Sequence, residues 1–263
     1  MLSNFLHSPD LKKCLDSPET TIIHRKIISE KPFLQRIYKD WYKLIKKWIP
    51  GGRAPIIEIG SGPGFLREFI PGAVRSEVLP IPGSDLVFDA CSGLPFGSSG
   101  LRAIILVNVF HHLHGVRKFL SEVDRCLIPG GALIMIEPWM TDWSRFVYST
   151  FHHEPCCPER ETWDFVPKGR LSCSNQALPW MVFHRDRRLF EAEFPELKIK
   201  KIVLMMPIRY IVSGGLSSRS GAPGVSYRIF SMLERLAKHE MHYLAMFAGI
   251  RVVKHPELPL SGL

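Results

Sequence analysis

The stretch Pro55-Ile56-Ile57-Glu58-Ile59-Gly60-Ser61-Gly62-Pro63-Gly64-Phe65 constrains this chain more than any other. A short apolar run, long enough for one buried strand, ends in three glycines at alternate positions, and Phe65–Ile70 reads as the start of a helix. Glycines there let the backbone turn sharply and come close to a ligand at the carboxyl edge of a sheet. The spacing is not the G-x-G-x-x-G of a dinucleotide cradle, because Phe65 stands where the third glycine would be. An acid two residues before the first glycine suits a positively charged ligand group better than a pyrophosphate. The chain is therefore expected to place a strand–loop–helix unit at the centre of a parallel sheet.

The rest of the pattern extends that sheet. Val74–Leu79, Asp85–Phe88, Arg102–Val109 and Ala132–Glu137 read as strands, and Val116–Leu127 as a helix with Val116, Phe119, Leu120, Val123 and Leu127 on one face. Such alternation predicts a parallel sheet with helices on its faces. One connection is too short: between Glu77 and Asp85 there is no room for a crossover helix, so the sheet is expected to be shortened there or the second strand differently registered. Residues 139–190 lose any period and read as a cap or loop-rich insertion. Regularity returns in the strand Leu197–Met206, the helix Val225–His239 and the strand Leu244–Val253, with a loop over Ser213–Gly224. The expected organisation is an N-terminal helical segment (1–53), a ligand-binding core (54–138), and a cap with the last strands of the sheet (139–263).

Of the 263 residues, 46% are hydrophobic and 22% charged, which excludes disordered, collagen-like and coiled-coil chains. No apolar run reaches the length of a membrane span and no secretory leader is visible, so a cytoplasmic location is expected. Six scattered cysteines without a CxxC pair are expected to be reduced thiols. The net charge of +9 is uneven: residues 1–53 hold 11 Lys+Arg against 5 Asp+Glu, 54–140 hold 6 against 8, and 141–263 hold 17 against 12. Basic flanks can attract an anionic partner. Phe33–Ile49 is an amphipathic helix whose apolar stripe (Leu34, Ile37, Trp41, Leu44, Ile45, Trp48) is expected to pack on the domain. Its lysine-rich face offers peripheral contact with an anionic membrane.

Several motifs in order carry a resemblance. They are Glu58–Gly64; Asp89-Ala90 with Leu94-Pro95-Phe96; Ile104–Leu113 ending in His-His-Leu; Phe119-Leu120-x-Glu122-x-x-Arg125-x-Leu127-x-Pro129-Gly130-Gly131; and a strand ending in Glu137-Pro138. From about Pro55 to Glu137 the chain resembles the class I S-adenosylmethionine-dependent methyltransferases, in particular their type 11 branch. The resemblance implies an α/β fold, a doubly wound, mostly parallel seven-stranded Rossmann-like sheet of order 3-2-1-4-5-7-6 with only strand seven antiparallel. It implies S-adenosyl-L-methionine as cofactor. Gly60, Ser61, Gly62 and Gly64 would line its methionine and ribose side, with Glu58 near the amino group. Glu77 would hold the ribose hydroxyls, Asp89 with Ala90 would meet the adenine, and Asn108 would face the cofactor near the methyl group. The short 77–85 connection bears on Glu77 in particular.

The acceptor is less sharply written. Asn108-Val-Phe-His is not the Asn/Asp-Pro-Pro-aromatic tetrad of base N-methylation, and Pro155-Cys156 lies in the wrong place for a pyrimidine-attacking thiol. O-methylation of a small or glycan-like, phosphate-bearing acceptor is the leading expectation. RNA is the alternative, resting only on the basic flanks, since no aromatic–basic motif accompanies them; a non-catalytic S-adenosylmethionine-binding module is another. For a hydroxyl acceptor the base candidates are His111, His112 and Asp142, and the cluster His152-His153-Glu154, whose histidines are reachable only if the cap folds back; His111 is preferred because it follows the fourth strand more closely. Trp139, Trp143, Trp163 and Trp180, and Arg145, Arg185, Arg187 and Arg188, are acceptor-site candidates in the cap. No metal is expected, because neighbours in His152-His153-Glu154-x-Cys156-Cys157 point to opposite sides of an extended chain.

Overall fold

The structure is a computed structural model of the chain, and it describes residues 18–62, 65–151, 154–166, 174–216 and 221–255. Gly64, Cys14, Cys173, His152 and His153 lie outside the described residues. Two helices, α1 (Pro18–Glu30) and α2 (Pro32–Trp48), precede the sheet. The strands β1 (Ile56–Ile59), β2 (Ala73–Glu77), β3 (Leu86–Val87), β4 (Leu101–Val107) and β5 (Leu127–Pro138) follow, with α3 (Val116–Cys126) crossing from β4 to β5. Then come α4 (Asp142–Phe151), α5 (Leu178–Trp180) with a π-helical turn behind it, α6 (Arg187–Glu193), β6 (Leu197–Met205), α7 (Arg209–Val212), α8 (Tyr227–Leu236), α9 (Met241–Leu244) and β7 (Phe247–Lys254). The strands form one sheet in the order β3-β2-β1-β4-β5-β7-β6. Every pairing is parallel except those of β7, which runs antiparallel to both β5 and β6. This is the expected Rossmann-like arrangement of class I methyltransferases.

Helices on both faces make the central strands apolar throughout. Ile57, Ile104, Ile105, Leu106, Ile134, Met135 and Ile136 have no accessible surface, and α3 covers them with Val116, Phe119, Leu120 and Val123. The short link between β2 and β3 is solved by shortening the sheet. β3 contributes only two residues, paired Ser76 with Leu86 and Glu77 with Val87, so little chain has to cross over. Asp85 holds the link: its backbone N–H donates to the Arg75 carbonyl (2.9 Å) and its carboxylate accepts from the Arg75 N–H (2.8 Å).

One expectation changes. The helix expected over Phe65–Ile70 is a single 3-10 turn, Leu66–Glu68. The apolar stripe of α2 packs on the domain as expected: Leu34, Ile37, Trp41 and Ile45 have no accessible surface, and Trp48 is buried under Gly249 of β7. Trp41 packs against Phe247, with ring centroids 5.1 Å apart. Only the polar side of α2 faces outward. Among the described residues no helix is long and apolar enough to cross a membrane, and Cys91, Cys126, Cys156 and Cys157 are free thiols.

Candidate functional site

The strand order reverses between β1 and β4, and the loops leaving the carboxyl ends of these two strands open a crevice there, the usual ligand position in doubly wound folds. β1 lies in register with β4 (Ile59 opposite Leu106), so Gly60 meets the segment after β4. Gly60 has φ +63°, and a Cβ on it would stand 2.5 Å from Cγ2 of Val109; no other residue fits. Gly62 also has positive φ (+48°), but a Cβ there would meet nothing closer than the Gly60 carbonyl oxygen at 3.9 Å. On the β4 side, Asn108 is a non-glycine residue at φ +56°, a strained conformation of the kind retained at binding sites.

Glu58 is the electrostatic centre of this crevice. It is buried in mid-strand, and its Oε2 is buried without a hydrogen-bond partner among the described residues. Burial, then the nearby Glu77 charge, push its pKa well above the usual carboxylate range, with Arg75 and Arg67 pulling the other way. Such a group lacks a cation. Glu77, at the end of β2, accepts from the backbone N–H of Gly62 (2.5 Å) and of Val78 (3.2 Å). Burial raises its pKa and these two bonds oppose the rise. Ser61 is buried, its N–H donating to the Ser76 carbonyl. Asp89 turns its carboxylate onto the Cys91 N–H (2.8 Å) and the Ser92 hydroxyl (3.3 Å), with Ala90 buried beside it. α2 roofs the crevice: Tyr38 hydrogen-bonds the Asn108 side chain, and the buried Tyr42 hydroxyl has its pKa raised well up, by burial and then by Glu58.

A second cluster stands at the ends of β4 and β5. Glu137, fully buried, accepts from the N–H groups of Val109 and Phe110 (both 2.8 Å) through one oxygen and from His111 Nδ1 (2.7 Å) through the other. The other ring nitrogen of His111, Nε2, lies 3.5 Å from Glu154, and His112 Nε2 lies 3.9 Å from the second oxygen of Glu154. Burial, the largest single influence, lowers the His111 pKa, but the bonds and charges of Glu137 and Glu154 together outweigh it and hold it at about 9. At neutral pH His111 is thus an imidazolium clasped by two carboxylates. The ligand atoms of His111, His112 and Glu154 lie within 4.8 Å of one another, close enough for a cation to draw them together.

Sequence reasoning set Glu154 among its chain neighbours and gave Glu137 no role. The fold joins both to His111, because Asn175 and Gln176 tie the cap to the core. The Asn175 N–H donates to the His111 carbonyl (2.8 Å), its side chain brackets Cys157, and Gln176 hydrogen-bonds Glu154. The only sequence signal for this was a polar pair beside an apolar run. Asp142 sits exposed in the first turn of α4. Of the four tryptophans, Trp139 and Trp163 are buried, the latter bonded to Asp186, while Trp143 and Trp180 are half-buried. Arg185 is engaged by Asp186 and by the Pro158 and Arg160 carbonyls, and Arg187 pairs with Glu191. Arg185 thus joins two segments of the cap, whereas the Arg187–Glu191 pair lies within α6.

Residues 76–135 match the family model described as a methyltransferase domain. No curated protein matches the chain. Among solved structures, phosphoethanolamine N-methyltransferase 2 of Haemonchus contortus aligns with a TM-score of 0.50 at 11% identity, over 98% of this chain and 60% of that one. Geranyl diphosphate C-methyltransferase of Streptomyces coelicolor A3(2) aligns with a TM-score of 0.49 at 13% identity, over 95% and 91% of the two chains. The Bacillus YcgJ protein gives 0.49 at 13%, over 84% and 100%.

Proposed function

We propose that this chain is an S-adenosylmethionine-dependent methyltransferase, a reading supported by the match of residues 76–135 to a methyltransferase domain and by the class I strand order, and that it methylates a hydroxyl of a small or glycan-like acceptor. The cofactor-binding core is assigned to residues 54–138, with residues 139–263 supplying the cap and the last strands behind the N-terminal segment 1–53. When bound, S-adenosylmethionine supplies an electrophilic methyl group on a sulfonium. The residues present fit it: the buried Glu58 oxygen, which has no hydrogen-bond partner among the described residues, offers itself to an ammonium group. Gly60, Ser61 and Gly62 line the loop against it, and Gly64 is assigned to the same loop from the sequence motif. Glu77, Asp89 and Ala90 take the ribose and adenine side, and Asn108 the methyl end.

The observation that carries the choice of a hydroxyl acceptor is the Glu137–His111–Glu154 chain. Methyl transfer needs alignment and exclusion of water, and a hydroxyl acceptor additionally needs somewhere to lose a proton. Glu154 and His112 are only partly buried and face outward from the chain, whereas His111 is enclosed. In this reading Glu154 takes the acceptor's proton. His111, charged at neutral pH, is a positioning residue that holds the Glu154 carboxylate in place, and Glu137 fixes His111. His112 lies where it can hydrogen-bond the acceptor. Asp142, exposed at the start of α4, stands outside this chain.

The test is methyl transfer from radiolabelled S-adenosylmethionine into fractionated cell extract. Label is expected in a small-molecule fraction as an alkali-stable ether. Glu154→Gln should lower turnover by roughly 10²–10⁴-fold, the usual worth of general-base catalysis, with S-adenosylhomocysteine affinity kept. Label in the RNA fraction would replace the acceptor assignment. Cofactor binding without transfer to any fraction would leave a binding module.

A further inference from the structure

Helix α8 is built inside out. Its apolar residues Ile229, Met232, Leu233 and Leu236 recur at helical spacing, yet they are 58%, 54%, 45% and 75% exposed, and Val225 just before the helix is 80% exposed. Its one acid, Glu234, faces inward instead, 4% exposed. The inward face is held by a polar cluster: Glu234 accepts from the N–H groups of Ile208 (3.1 Å) and Arg209 (2.8 Å) and from the Arg209 guanidinium. That guanidinium also reaches Tyr227 (2.6 Å) and Asp40 (3.2 Å). Phe33 packs edge-on against both Tyr227 and Phe230, fixing the helix from below. The orientation of the stripe is therefore imposed by buried contacts. Ile208, just before α7, and Ile211 within it are also 40% exposed, and α7 packs on α8. An exposed apolar stripe such as that of α8 marks an interaction site.

Beside the stripe, α8 and the outward side of α2 form a groove of about 460 Å³ lined by Arg36, Lys39, Lys43, Arg228 and Arg235, with Asp40 as its single acid. Asp40 is already engaged by Tyr227 and Arg209. The groove therefore presents an unbalanced set of cations next to an exposed apolar ridge.

We propose that this face docks on an anionic phospholipid bilayer, the α8 stripe entering the acyl boundary while the groove cations meet the headgroup phosphates. An amphipathic helix with basic flanks lies in the bilayer interface in this manner. A second copy of the chain is disfavoured by charge, since a two-fold contact through this face would set five cations against five. Nucleic acid would match the cations and leave the apolar ridge in water. The proposal is independent of the acceptor assignment, because it uses none of the residues of the crevice or of the Glu137–His111–Glu154 chain.

The test is flotation of the full-length protein with 100 nm vesicles of phosphatidylcholine alone or with one quarter phosphatidylglycerol, at low and high salt. Binding is expected only to the phosphatidylglycerol vesicles, falling at least tenfold when salt is raised. Lys39→Glu with Lys43→Glu, and separately Ile229→Ser with Leu236→Ser, should each lower partitioning at least tenfold. Both variants should keep S-adenosylhomocysteine affinity and the thermal midpoint, which shows that they remain folded. Absence of binding to anionic vesicles at low salt would overturn the proposal. So would binding unaffected by the Ile229/Leu236 change, which would leave a purely electrostatic partner such as RNA. Self-association abolished by Leu236→Ser, without vesicle binding, would assign the face to a second copy instead.

Discussion

Replacing Glu137 by Gln tests the charged chain at the ends of β4 and β5. The amide keeps the side chain's shape and one oxygen for the Val109 and Phe110 N–H groups, but turns a neutral group toward His111. In the native protein the His111 pKa stands at about 9 against an ordinary 6.5. One unit corresponds to 1.36 kcal/mol, so the bonds and charges of Glu137 and Glu154 together outweigh burial by about 3 kcal/mol. The sign follows from the direction of the shift. A base whose folded pKa is raised binds its proton more tightly when folded, so this stabilisation is complete below pH 6.5 and drains away as pH rises through about 9. Urea unfolding of the wild type and of Glu137→Gln, from pH 6 to pH 10, should show the largest difference at the acid end, narrowing by about 1–3 kcal/mol across pH 6.5–9 and levelling above it. Imidazole NMR should follow His111 directly, titrating near 9 in the wild type and lower in the variant. A stability difference constant with pH, or a wild-type His111 titrating near 6.5, would refute the reasoning.

Three further outcomes follow from single atoms. Glu58→Gln removes a buried carboxylate whose Oε2 has no partner among the described residues; the free protein should be as stable or more so at neutral pH, while calorimetry should show S-adenosylhomocysteine binding weakened at least tenfold, about 1.4 kcal/mol. Gly60→Ala drives a Cβ to 2.5 Å from Val109 at a positive φ, and should lower stability by about 1–3 kcal/mol by thermal or urea unfolding. Arg209→Ala leaves the buried Glu234 carboxylate without its cation, and should cost about 3–5 kcal/mol, read in the same unfolding assay.

What the sequence determined by itself was local in origin. The run from Ile56 to Gly62 specifies a buried strand that must end in left-handed glycines, and the apolar period of Val116–Cys126 specifies a helix that must cover a sheet. Such short-range patterns, repeated in order, were enough for the strand–helix alternation of a parallel sheet, while the seven-strand order came from the family resemblance that the motifs carry. Even the two-residue β3 was foreshadowed, because the 78–85 connection is too short to return along a full strand. The Leu66–Glu68 turn was misjudged as a helix, since an apolar pattern over six residues cannot say whether neighbouring loops leave room for a second turn. Partnerships between distant segments were decided only in three dimensions. Glu154 meets His111 because Asn175 and Gln176 pull the cap onto the turn after β4, and no spacing along the chain encodes that encounter. The periods of α2 and α8 look alike, yet one stripe is buried on β7 and the other faces outward. Amphipathicity states that a helix has an apolar side; where that side points depends on which neighbours bind the opposite side. For α8 those neighbours are Arg209 and Phe33, which hold its polar face inward.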